Sequence, residues 1–109
     1  MNFNEYQEKA RKTAIYPQNN AVYYPSLGLA GETGEVCEAV KKQIRDNNAK
    51  FMNPSFLADM RRELGDVLWY ISNLASDLHL SLEGIAKDNI EKLADRQKRN
   101  KLHGSGDNR

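Results

Sequence analysis

Residues 28–42, GLAGETGEVCEAVKK, and residues 61–75, RRELGDVLWYISNLA, decide how this chain folds. Each carries apolar residues at the period of an α-helix and a pair of acids three residues apart. Taking ~100° per residue, the apolar stripe of the first runs through Leu29, Val36, Val40 and Ile44. The stripe of the second runs through Met60, Val67, Ile71, Leu74 and Leu78. Glu32 and Glu35 fall on one shoulder of the first stripe. Glu63 and Asp66 fall on the same shoulder of the second. Residues three apart share a helix face, so each pair is one acidic grip. Acids at helical spacing usually form a solvated face, which lies opposite the stripe. Acids on matching core-side shoulders of two helices point instead to one shared site. Hard oxygen ligands of that kind suit Mg²⁺ or Mn²⁺ and not zinc. Glu38 lies nearly opposite its stripe, at the rim of such a site or in solvent.

Outward from these segments the chain reads as helix throughout. A short helix is expected from Glu5 to about Ala14, with Asn4 and Gln7 as a capping box. Tyr16-Pro17 ends it, and residues 18–26 read as a polar loop. The second helix starts at Pro25-Ser26 and runs to about Arg45. Its glycines Gly28, Gly31 and Gly34 each cost up to about 1 kcal/mol in a helix interior, which predicts close approach of a helix or ligand. Asp46–Ser55 reads as a loop, and a third helix runs from Ser55 to Leu78. His79-Leu80 makes a corner, Ser81 caps a fourth helix, and that helix reaches about Lys101. No strand-like alternation of useful length appears. The expected fold is all-α, a four-helix bundle-like domain over residues 1–103, with residues 104–109 as a flexible tail.

Composition narrows the function. The chain has 109 residues, one domain's worth, and 39% hydrophobic residues, which make a modest core. Small polar chains often gain core by oligomerising. A net charge of +1 gives no case for a nucleic-acid or membrane partner. The single cysteine, Cys37, excludes an internal disulfide and fits a reducing compartment. Beside Val36 and Val40 it reads as a small core residue. There is no apolar run able to span a bilayer and no signal peptide, so a soluble cytoplasmic protein is expected.

The fourth helix adds a basic counterpart. Asn89, Lys92 and Arg96 cluster on the shoulder of a stripe made of Leu82, Ala86, Ile90, Leu93 and Gln97. A solvated basic helix end is the plain explanation. Beside an acidic metal site, the same residues suit a polyanion that the metal also holds. Trp69 falls off its stripe, either to stack on a base or to enter a subunit interface, where aromatics are favoured.

Together these segments resemble a known family. GLAGETGEVCEAVKK, RRELGDVLWYISNLA and SLEGIAKDNIEKLADRQKR look like the all-α nucleoside triphosphate pyrophosphohydrolases of the MazG type, and the ending HGSGDNR looks like a bacterial and phage subgroup. Four acids followed by N-x-x-K-L-x-x-R, in order and at these distances, make the resemblance specific. It implies metal ligands at Glu32, Glu35, Glu63 and Asp66. Relatives commonly carry a second glutamate just before the first motif acid; here Gly31 stands there, with Glu38 as a partial substitute. It also implies Mg²⁺-dependent hydrolysis of nucleoside triphosphates between the α and β phosphates, giving a nucleoside monophosphate and pyrophosphate. Glu35, or secondly Glu38, would accept a proton from the attacking water. Asn89, Lys92, Arg96 and Trp69 would contact the substrate. The family further implies a homodimer or a dimer of dimers. The competing expectation is a non-catalytic helical nucleotide-sensing or interaction module.

Overall fold

Each helix starts where something can hold its free N–H groups. In the computed structural model, which describes residues 1–109, α1 spans Phe3–Arg11, α2 Tyr23–Asn47, α3 Pro54–Asp77 and α4 Leu82–Lys98; a single 3₁₀ turn covers Gln18–Asn20. The fold is all-α, as expected. Asn53 accepts from the N–H groups of Ser55 and Phe56 and is followed by Pro54, whose missing N–H costs nothing in a first turn. Ser81 caps α4 through the Gly84 N–H at 3.1 Å.

Two helix starts depart from the sequence expectation. The cap of α1 is Asn2, accepting from the Glu5 N–H at 2.9 Å, not an Asn4–Gln7 box. Asn4 and Gln7 make tertiary bonds instead. The Asn4 amide reaches Glu83 at 2.8 Å, and Gln7 donates to Ser76 and the Leu80 carbonyl while accepting the Leu82 N–H. These bonds fix α1 across the α3–α4 corner. That corner turns at His79 in the left-handed region, φ 58°, as befits a helix C-terminus. Helix α2 begins two residues before Pro25 and has no side-chain cap of its own. Val22, at φ 69°, gives its N–H to Asp77 at 2.9 Å.

Asp77 is the hub of this end of the molecule. Its side chain is fully buried, with the Arg11 guanidinium at 2.8 Å and the Tyr16 hydroxyl donating at 2.8 Å. Burial pushes its carboxyl up. The Val22 N–H, Tyr16 and Arg11 together outweigh that and hold it below the usual carboxylate value.

The main contact is between α2 and α3, joined by a short connection and therefore antiparallel. At Gly28 the Tyr70 ring lies directly on the α2 backbone, where a Cβ would collide with it. Gly31 and Gly34 have open space around them, so close approach explains Gly28 alone. Leu29, Val36, Val40, Met60, Val67, Ile71 and Leu74 are half-buried, while Ile44 is mostly exposed. Cys37 is exposed, not a core residue, because it points off the stripe. Helix α4 packs on α1 and the end of α3 through buried Leu82, and its outer half, with Ile90 65% exposed, packs on no other helix.

The exposed area decides how complete this body is. It presents 8140 Å², against about 6,100 Å² for a folded monomer of its mass. Its radius of gyration is 16.8 Å, against about 13 Å for a compact chain of this length. Leu27, Leu64 and Ile90 are all more than half exposed. No helix is long and apolar enough to cross a membrane.

Candidate metal centre

Because α2 and α3 run antiparallel, Glu32 on one meets Glu63 and Asp66 on the other. One carboxylate oxygen from each lies within 4.8 Å of the other two. Glu32 and Glu63 are half-buried and Asp66 is exposed, so the group faces solvent from a partly sheltered floor. Burial raises the Glu32 carboxyl above its ordinary value, and the charges of Asp66, Glu63 and Glu35 raise it further. Three carboxylates this close repel unless a proton or a cation intervenes. The donor set is all oxygen, which fits Mg²⁺ or Mn²⁺.

The fourth acid stands apart. Glu35 is exposed, one turn along α2 and outside the close trio. With Glu38 and Glu63 it lines a cleft of about 520 Å³ between the C-terminal half of α2 and the N-terminal half of α3. Gln43, Asn47, Asn53 and Ser55 continue the polar wall. Glu38 is engaged elsewhere: Lys41 lies 2.9 Å away and Lys42 3.9 Å. The Lys41 contact first, then the charges of Lys42 and Arg45, hold its carboxyl below the ordinary range. A carboxylate so held is a poor proton acceptor.

Two tyrosines near the acids escaped the sequence reading in this role. Tyr70 follows Asp66 by one turn; burial raises its phenol, followed by Tyr24, Glu32 and Asp66. Tyr6, on α1, is raised by burial and then by Asp66. The one-turn spacing from Asp66 is a signal that picks out Tyr70. Nothing in the sequence brings Tyr6 there. Tyr16, Tyr24, Tyr70 and Trp69 form a row of rings: Tyr16 stacks on Tyr24 at 4.8 Å, Tyr24 tilts toward Tyr70 at 6.3 Å, and Trp69 meets Tyr70 edge-on at 5.0 Å. Trp69 is half-buried within its own chain, and its indole N–H donates to Thr13 at 2.8 Å.

The basic residues lie elsewhere in the chain. Asn89 and Lys92 line a shallow hollow on α4 with Ile85 and Asp88. Lys92 and Arg96 both pair with Asp107 of the C-terminal segment. None of the three shares a hydrogen bond, ion pair or cavity with the α2–α3 acids. In the structure residues 101–109 fold back as a segment bonded to α4.

A family model described as the MazG nucleotide pyrophosphohydrolase domain matches residues 25–100. The chain belongs to the MazG family. It is also similar to the Gene 37 protein of Mycobacterium phage L5, 38% identical over 115 residues that cover the whole of both chains. No solved structure matches it. The MazG match contains nearly all of α2 and the whole of α3 and α4, hence the acidic trio, Glu35 and the basic residues. Helix α1 and the whole of residues 101–109 lie outside it.

Proposed function

We propose that this MazG protein hydrolyses nucleoside triphosphates, NTP or dNTP, between the α and β phosphates, releasing a nucleoside monophosphate and pyrophosphate. The observation that carries the reading is the trio of carboxylate oxygens from Glu32, Glu63 and Asp66 within 4.8 Å of one another, beside a polar cleft. These residues would hold Mg²⁺ or Mn²⁺, with Glu35 able to join from the adjacent turn. A divalent ion supplies neutralisation of phosphate charge and acidification of water.

The chain's own groups account for the rest. Glu35 is outside the trio and exposed to the cleft, so it can take the proton of the attacking water. Glu38, the second candidate, is disfavoured by its lysine pairs. Lys92 and Arg96 suit phosphate oxygens, and Asn89 a phosphate, sugar or base edge. Trp69 offers a base only its ring face, since Thr13 engages its N–H. Acids and bases lie in separate places within one chain. A second copy bringing α4 to the acids is the arrangement that unites them, and the excess exposed surface supports such a homodimer or dimer of dimers. Action on the nucleotide pool and a free, exposed Cys37 fit the cytoplasm.

The test is pyrophosphate release from a mixed NTP and dNTP pool with and without Mg²⁺, run in ¹⁸O-labelled water. Attack at the α phosphorus puts the label in the monophosphate; attack at the β phosphorus puts it in pyrophosphate. Nucleotide binding without turnover under either Mg²⁺ or Mn²⁺ would favour the non-catalytic sensing module instead.

A further inference from the structure

Arg96 is 4% exposed, although it stands in the half of α4 that covers no other helix. The chain's own end hides it. Its Nη2 donates to the Asp107 backbone carbonyl and to the Asp107 carboxylate at 3.0 Å. Lys92 Nζ reaches the same carboxylate oxygen at 2.8 Å. The remaining residues of the segment hold this arrangement closed. Arg109 donates to the carbonyls of Lys101, Leu102 and Gly106, and Arg99 donates to the Arg109 carbonyl at 2.7 Å. Gly104 and Gly106, at φ 128° and 83°, let the backbone double back. Asp107 itself is 78% exposed on its side chain. It is the most exposed of the three partners, against 40% for the Lys92 side chain and 5% for that of Arg96.

A carboxylate bridging a lysine and an arginine makes the contacts a phosphate makes there. Two anions cannot share those donors without repulsion. We propose that residues 101–109 are a strap, with its one acid, Asp107, occupying the anion subsite of Lys92 and Arg96 until a substrate polyphosphate displaces it. This rests on the reading that Lys92 and Arg96 hold substrate phosphates. Closed, the strap leaves Arg96 out of reach. Displaced, it frees two cations together. The strap therefore lowers apparent affinity by the fraction of molecules in which it is closed.

Asp107→Asn keeps the shape of the segment and removes its charge. Its KM for a nucleoside triphosphate is expected to fall about three- to tenfold, the shift for a strap closed in most molecules, with the change in KM and not in kcat. Hydrogen exchange on the wild-type protein provides a check independent of any variant. Inorganic tripolyphosphate with Mg²⁺ is expected to speed amide exchange across residues 102–109. An unchanged or raised KM in Asp107→Asn, or unchanged exchange at saturating tripolyphosphate, overturns the strap. Adding Lys92→Ala in the Asp107→Asn background separates the two readings. If KM rises there, Lys92 holds phosphate, and a failure of the strap stands alone. If KM does not move, the phosphate role of α4 fails and the strap with it.

Discussion

Asp66 and Asp77 lie on the same helix and have opposite surroundings. Asp77 is buried at the end of α3 and meets a backbone N–H, a phenol and a guanidinium. Asp66, mid-helix, meets two more carboxylates and no cation of the chain. A carboxylate with its donors supplied is a structural joint, here tying α1, the first loop and α3 together. A carboxylate surrounded by its own kind is incomplete, and on the proposed reading a divalent ion completes it. The neighbours, more than residue type or burial, separate a structural acid from a functional one.

The largest effect that tests this contrast is on turnover. Glu35→Gln is expected to lower kcat about 10²- to 10⁴-fold if it accepts the water's proton. Asp66→Asn should lower turnover about 10³-fold, the several kcal/mol a metal clamp supplies. Both variants should keep wild-type helix content by circular dichroism, since Asp66→Asn removes charge from a repulsive cluster and Glu35 is an exposed position on α2. Steady-state pyrophosphate release measures the loss. Activity comparable to wild type in either variant would place the chemistry elsewhere.

Asp77→Asn should do the reverse, costing stability more than chemistry. The pair it breaks is buried on one side only, as the Arg11 side chain is 41% exposed. A loss of roughly 2–3 kcal/mol in urea unfolding is therefore expected, below the 3–5 kcal/mol of a fully buried pair. The pH dependence follows in sign. The folded Asp77 carboxyl is held below its ordinary value, so its contribution is fully present above the unfolded pKa of about 3.9. It is lost as pH falls through the lower folded value. The gap between wild type and variant should thus close in strong acid and stay constant near neutrality. A gap that persists unchanged at pH 2 would show that the carboxylate charge is not what stabilises this joint.

The contrast also marks what the sequence could reveal. Four helices were legible because their apolar residues keep helical period and because Ser81 and Pro54 sit where helices start. The pairing of Glu32 with Glu63 and Asp66 was legible because antiparallel helices bring matching shoulders together. Other features depend on partners far away in sequence. Helix α2 starts early because Asp77, on another helix, takes the Val22 N–H. Asn4 looks like a cap, yet it bonds Glu83 across the fold. Which acid stands outside the trio depends on how α2 and α3 are set against each other, and periodicity does not specify that. Asp107 in a glycine-rich tail resembles any solvated acid until its two cations are seen.

Metal linkage gives the smallest effect and the most direct reading of the two ends of α3. An ion that binds only the folded trio stabilises by RT ln(1 + [L]/Kd), about 1.4–2 kcal/mol at ten- to thirtyfold its Kd. For a chain of this size that is on the order of 5–15 °C in melting temperature. Millimolar Mg²⁺ or Mn²⁺ should therefore raise the wild-type melting temperature, and Asp77→Asn should show the same increment from a lower starting point. Asp66→Asn should lose the increment because the trio is reduced to two acids. Without metal it should melt no lower than wild type, since one repulsive charge is gone. Differential scanning calorimetry over a Mg²⁺ series separates these outcomes. Equal increments in Asp66→Asn and wild type would mean that the ion binds away from the trio, and the two ends of α3 would no longer differ in the way their neighbours indicate.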